Sequence, residues 1–317
     1  MAVTGAGLAV LQAALALGFS PLLMSIFAKV KARTQGRRGP PWLQPYRDLS
    51  KLLRKDEVLP SGATPLFAWA PAASFAAVFA AAMMVPSFAA PAFANVGGLV
   101  TVVFLLALAR FLTAMAALDS GSSFGGFGAS RDMTMSAVVE PALVAAILWV
   151  SVVAGSTSAA AVAAPERPVS VLSASASYLL AFAALAVLVL AETGRIPVDN
   201  PATHLELTMI HEAMVLEYGG PRLGLIEWAR ALKQFTLLAL TAALVLPFGL
   251  PSGFDAPDLA LGLGGFVLKV GGLAVFLAAL EVSTAKLRLF RLPELFAISL
   301  VLAVLAALAA VVARGVP

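Results

Sequence analysis

The chain has 317 residues, of which 61% are hydrophobic and 12% charged, whereas an ordinary soluble domain carries about 25% charged residues. So much apolar side chain cannot be hidden in a water-soluble core of this length, so the composition excludes a soluble enzyme and makes lipid the natural solvent. Cysteine is absent, which excludes disulfides, a cysteine nucleophile, and any iron–sulfur cluster or thiolate-held nickel or zinc in this chain.

In chain order, eight apolar stretches stand out, near residues 4–28, 64–86, 96–118, 136–154, 170–190, 224–248, 259–283 and 293–313. Each approaches the roughly 20 residues that cross a bilayer core as a helix. The pattern is not the short alternating segments of a barrel. The predicted class is therefore an all-α integral membrane protein with about eight transmembrane helices, one polytopic domain over 1–317. The first stretch reads as an uncleaved helix. Lys29, Lys31 and Arg33 follow its apolar run, whereas a secretory signal carries its positive charge ahead of it.

The loop 29–60 is strongly basic. Gly36-Arg-Arg-Gly-Pro-Pro41 opens it as a rigid turn. From Gln44 to Lys55, Tyr46, Leu49, Leu52 and Leu53 recur at helical spacing with cations between them, the pattern of an interfacial amphipathic helix. Such a surface suits anionic membrane lipid. It equally suits docking of a cytoplasmic subunit, with Arg37, Arg38, Arg47 and Lys51 as contact residues.

The third stretch holds Arg110, and the fourth holds Glu140 next to Pro141, whose ring frees a backbone carbonyl. Between them, loop 120–134 contains Gly-Ser-Ser-Phe-Gly-Gly-Phe-Gly-Ala-Ser-Arg131-Asp. A phosphate cradle would follow a strand; this run follows a span, so a turn that lets another backbone approach closely is expected.

Segment 191–222 is the richest. Asn200 is placed to cap a helix with Pro201 at its first position, and Gly219, Gly220 and Pro221 stop it. On that helix Glu206 and Glu217 share one stripe. His204 and His211, the two histidines of the chain, share another, and Glu212 lies between. A helix polar on several faces belongs against water, protein or a hydrated cavity. The histidines are seven residues apart, not the i,i+4 of a helical metal pair, so no metal site is expected. Acids beside a hydrated cavity and imidazoles that titrate near neutrality are what a proton relay needs. A solvated loop helix with ordinary surface charges is the plain alternative.

The seventh stretch holds Lys269 near its middle and Glu281 near its end. A charge at the bilayer centre costs at least about 2.5 kcal/mol, so these groups are expected to face a partner or water. Arg110 and Glu281 can also snorkel to the interface. Lys and Arg concentrate in alternate loops: 29–60, then Arg131, then Arg195, Arg222, Arg230 and Lys233, then Lys286, Arg288 and Arg291. The other side has Arg167 and Arg314. The positive-inside rule puts the basic loops in the cytoplasm and both termini outside, in the plasma (inner) membrane.

Glu192-Thr-Gly-Arg195-x-Pro197-x-Asp199-x-Pro201, followed by Glu206-Leu207 and Glu217-Tyr218-Gly219, resembles the signature loop of the membrane subunit 1 family of respiratory complex I. Gly39-Pro-Pro-x-x-Gln-Pro-Tyr-x-Asp-Leu-x-Lys-Leu-Leu53 resembles that family's first cytoplasmic loop. Ala202 and His204 stand where the complex I pattern carries acids. The stretch from Pro197 to Tyr218, with Phe124–Arg131 and Ala285–Glu294, is similar instead to the membrane anchor of formate hydrogenlyase and related energy-converting nickel–iron hydrogenases. The resemblance implies a non-catalytic subunit beneath a cytoplasmic arm of small and large hydrogenase-like subunits, next to antiporter-like membrane subunits. Iron–sulfur clusters and a nickel–iron centre would belong to those partners, with no cofactor or metal in this chain. Acids matching Glu140, Glu192, Asp199, Glu206 and Glu217 would form a charged path linking the redox site to ion movement. Arg110, His211, Glu212, Lys269 and Glu281 extend that path, and Arg131 and Arg195 extend the docking set. Nucleic acid is not an expected partner.

Several functions stay open: a subunit coupling redox chemistry to proton or sodium movement, a quinone-binding NADH dehydrogenase-type subunit, and a passive anchor. A stand-alone transporter would show inverted repeats with broken helices, and no convincing repeat is visible.

Overall fold

The computed structural model of the chain describes residues 2–60, 62–89, 93, 97–162, 176–199, 209–246, 256–285, 287 and 291–314. Among them every regular element is a helix: α1 (Ala2–Thr34), α2 (Gln44–Leu53), α3 (Pro65–Met84), α4 (Leu99–Asp119), α5 (Ser123–Ala154), α6 (Ala159–Val162), α7 (Ala176–Glu192), α8 (His211–Val215), α9 (Gly220–Val245), α10 (Ala256–Ser283) and α11 (Leu292–Arg314). The expected spans fall on α1, α3, α4, α5, α7, α9, α10 and α11. Six of these, all but α7 and α9, are long and apolar enough to cross a membrane on their own. The described part of α7 has 17 residues. α9 carries Arg222, Glu227, Arg230 and Lys233 in its first half. It tolerates them because it is the inner post of the bundle, packed on α1, α2, α3, α7 and α10. The protein is an all-α membrane protein, with Phe104, Leu108 and Phe111 of α4 and Ile298, Val301 and Leu308 of α11 facing outward.

Lipid offers no hydrogen bonds, so helix ends must find partners inside the protein. The start of α3 is capped twice: Thr64 Oγ1 accepts from Leu66 N at 3.2 Å, and the Asp119 carboxylate at the end of α4 accepts from Thr64 N and Phe67 N at 2.9 and 3.2 Å. The far end of α3 is closed by buried Gln12 of α1, whose amide donates to the carbonyls of Ala82, Met83 and Val85. Pro21 lies inside α1, and a proline has no N–H to give the carbonyl four residues back. Trp228 Nε1 of α9 supplies the missing donor to Leu17 O at 3.3 Å.

Two expectations change. Loop 120–134 shrinks to a turn at Ser120–Ser122, because α5 starts at Ser123. Gly125 and Gly128 serve close packing inside that helix. A Cβ on Gly125 would sit 2.6 Å from Ala117 O, and one on Gly128 would sit 2.8 Å from Ile210 O. Also, no continuous helix runs to Tyr218 from Pro201. Met209 and Ile210 are not helical, and α8 begins only at His211. Its cap is Asp199, whose Oδ2 accepts from the N–H groups of Ile210 and His211 at 3.2 and 3.4 Å. Residues 200–208, with Asn200, His204 and Glu206, lie outside the described residues.

Candidate functional site: a charged cavity at the basic end

The chain leaves α7 at Glu192, turns at Gly194 (φ +58°) and passes Arg195 before reaching Asp199. Asp199 ties this turn to α8, and α8 wedges against Gly128 of α5. Arg131, one turn further along α5, donates to Met209 O at 3.1 Å and holds the same wedge. Arg131 is therefore half-buried and structural here, whereas Arg37, Arg38, Arg47 and Lys51 are exposed.

Behind the wedge lies a cavity bounded by α3, α4, α5, α7, α8, α9 and α11. Its polar lining includes Arg110, Asp132, Glu192, Asp199, His211, Arg230 and Lys233. Its volume is ≈ 100 Å³, room for about three waters at the roughly 30 Å³ each takes in the liquid.

One charge network lines the cavity. Arg110 sits at its hub, with Nε 3.5 Å from Asp132, Nη1 3.3 Å from Glu140, and Nη2 against Glu192. Glu192 also takes Lys233 Nζ at 2.6 Å. Its second oxygen, and His211 Nε2, are buried without a hydrogen-bond partner from the protein. Buried polar atoms are almost always satisfied, and the adjoining cavity is where water can do so. Burial holds the His211 imidazole well below its ordinary range, reinforced by Arg230 and Lys233, so it is neutral at pH 7. Glu212 stands just outside and pairs with Arg230 at 2.9 Å.

A second network lies between α1, α9 and α10. Glu281 receives Lys31 Nζ at 2.6 Å on one oxygen and Arg195 Nη1 at 3.2 Å on the other. Arg195 also donates to Gln234 Oε1 at 2.8 Å and lies 3.7 Å over the Phe27 ring. Burial pulls its guanidinium down to about 10, against the pull of Glu281. Arg195, expected at a docking face, thus points inward and ties the loop to the bundle.

Other expected path residues fall elsewhere. Lys269 donates to Leu246 O at 3.0 Å, beside Tyr178 Oη on Val245 O at 2.6 Å, so both serve the C-terminal end of α9. A cation there also complements the helix dipole. Glu217 is exposed and outside the cavity. Its neighbour Tyr218 stacks on Phe67 with centroids 4.0 Å apart and donates to Phe67 O at 2.9 Å. Burial and the nearby Asp119 push that phenol up.

The sequence alone did not single out Asp132, or the roles of Lys31, Arg230, Lys233 and Gln234. Asp132, Ser136 and Glu140 follow at i, i+4 and i+8, one face of a helix. That signal becomes readable only once Ser123–Thr134 is taken as helical.

Known proteins match this arrangement along nearly its whole length. The family model described as NADH dehydrogenase covers residues 6–312. Hydrogenase-4 component C of Escherichia coli (strain K12) is 35% identical over 272 residues, 86% of this chain and 84% of that protein. Formate hydrogenlyase subunit 4 of the same organism is 34% identical over 288 residues, 90% and 92% of the two chains. An NADH-quinone oxidoreductase subunit from Geobacillus sp. (strain WCH70) is 29% identical over 300 residues, 92% and 87%. A chain in the structure of the membrane-bound sulfane sulfur reductase, an archaeal respiratory membrane complex, has the same fold. Its TM-score is 0.83 at 22% identity, over 95% of this chain and 98% of that one.

Proposed function

We propose that this chain, which belongs to the NADH dehydrogenase family of complex I subunit 1 type and is a membrane subunit of a respiratory or hydrogenase-type complex, couples redox chemistry in a cytoplasmic arm to ion movement through its buried acids. Its relatives, hydrogenase-4 component C and formate hydrogenlyase subunit 4, favour small and large hydrogenase-like subunits as that arm. The iron–sulfur clusters and the nickel–iron centre would reside there. The basic loop 29–60 faces the cytoplasm in this reading, with both termini outside.

The observation that carries the proposal is Glu192. A carboxylate flanked by Arg110 and Lys233, with one oxygen open to a cavity that has room for several waters, can pass a proton along water and be recharged by its neighbours. Glu140 offers the way out. It lies mid-helix in α5, its side chain is 36% exposed, and it touches Arg110. A charged group at that depth does not face acyl chains without cost, so an antiporter-like membrane subunit is the fitting neighbour. Protons suit the imidazole and the water; sodium would be held by the carboxylates alone.

One observation favours a second reading, a passive anchor: Glu192 and Glu281 are already neutralised by cations. The test is Glu140→Gln and Glu192→Gln in the purified complex sealed in vesicles. Assembled complex with redox turnover but little ion movement supports coupling. Unchanged ion movement in both leaves the anchor. Mass spectrometry of the co-purifying subunits shows whether the arm is hydrogenase-like.

A further inference from the structure

Away from the cavity, α1, α2 and α9 enclose an open groove. Its walls are Leu17 and Pro21 of α1, Leu49 and Leu53 of α2, and Trp228 of α9, and its volume is ≈ 480 Å³. The groove runs on into a shallow basic end where Arg47 and Lys51 of α2 and Arg54 just after it converge with Tyr46 and Ser50. Tyr46 donates to Gly18 O and Trp228 to Leu17 O. An amphipathic ring fixed by its polar edge is the arrangement found at headgroup depth in a bilayer. Lys51 shares Asp48 at 3.8 Å. Arg47 and Arg54, like the exposed Arg37 and Arg38 before α2, have no acidic partner within 4 Å among the described residues, whereas the less exposed Arg110, Arg195, Arg222 and Arg230 do.

We propose that this groove is a binding site for an anionic phospholipid, with an acyl chain along Leu17, Leu49 and Trp228 and its phosphate on Arg47 and Arg54. Charge complementarity selects this occupant. The open arginines call for an anion at one end, while the slot beside them is apolar. An acidic segment of a partner protein would satisfy the first and leave the second empty. A bound lipid here would also seal α2 to α1 and α9, which meet it through the same residues. Gly224 leaves only 3.3 Å between its would-be Cβ and Leu52 Cβ, so α2 rests directly on α9. The inference is independent of ion coupling.

The test uses the complete complex in phosphatidylcholine vesicles doped with phosphatidylglycerol that carries a photoreactive diazirine on an acyl chain. After irradiation and digestion, adducts are expected on the peptides around Leu17–Pro21 and Leu49–Leu53. The matched phosphatidylcholine probe should label them several-fold less. Arg47→Gln and Arg54→Gln should each cut phosphatidylglycerol labelling roughly fivefold, the factor carried by one basic residue at an anionic surface. Both side chains are exposed, so these variants keep the fold. Equal labelling by the two lipids would reduce the groove to ordinary lipid contact and overturn the proposal. So would absence of labelling, which would mean a protein segment fills it, or loss of labelling when a prenyl quinone is added at equal mole fraction, which would give the slot to a quinone tail.

Discussion

Glu192 and Glu281 are both carboxylates with 2% of the side chain exposed, and both meet two cations. They differ in what surrounds those pairs. Glu281 commits both oxygens to Lys31 and Arg195 and lies outside the cavity lining. Glu192 keeps one oxygen free of protein partners and faces the cavity, and its hub cation Arg110 is shared with Asp132 and Glu140. Identical chemistry at the level of the pair therefore sits closed on both oxygens in one place and open to a cavity on one oxygen in the other. Hydration and shared partners make the difference.

The largest effect should come from the closed pair. Glu281→Gln strands the largely buried Arg195 and releases the partly exposed Lys31, a loss of roughly 3–5 kcal/mol where one partner of a buried pair is removed. The assembled complex should fall sharply in membrane yield. Normal yield would mean that the two regions are alike after all. Next, Gly128→Val drives a side chain into Ile210 O, Met214 and Ala213. Overpacking of this sort costs about 1–3 kcal/mol. It should loosen α8, read as faster amide exchange across His211–Val215. Glu192→Gln should cost about 1–3 kcal/mol, the scale of one altered buried hydrogen-bonding group, because water and the shared acids remain for Arg110 and Lys233. Membrane yield should therefore exceed that of Glu281→Gln clearly.

The smallest effect is a pH slope. His211 is held below its ordinary range in the folded chain, so the unfolded chain binds the extra proton once pH falls below about 6.5. Stability attributable to this group is intact above that pH and declines below it, by at most about 1.4 kcal/mol per pH unit. His211→Gln should flatten the acid side of a melting-temperature profile between pH 5 and 7.5. An unchanged profile would remove His211 from the buried set.

Much of this contrast was written in the sequence, and some was not. The apolar runs mark the helices because their length is set by the bilayer, and Tyr46, Leu49, Leu52 and Leu53 mark α2 by spacing alone. The ionisable residues inside those runs, Arg110, Glu140, Lys269 and Glu281, stand out by rarity, and Glu192 by the resemblance of its loop. Their partners do not. Lys31 reaches Glu281 across 250 positions, and Arg195 reaches it across 86, distances over which periodicity carries no signal. The glycine run at Gly121–Gly128 reads as a turn that lets another backbone approach, and glycine also weakens helices. Here close approach by Ile210 outweighed propensity. Asp199 hid its capping role because the helix it caps starts after residues 200–208 rather than next to it.

Ion movement per electron transferred, in vesicles containing the complex with Glu192→Gln, tests the coupling role of the buried acids most directly. The expected result is an assembled, redox-active complex whose ion movement drops by about a hundredfold, the low end of what a positioned proton-transfer group contributes. Ion movement equal to that of the unaltered complex, at the same redox rate, would contradict it.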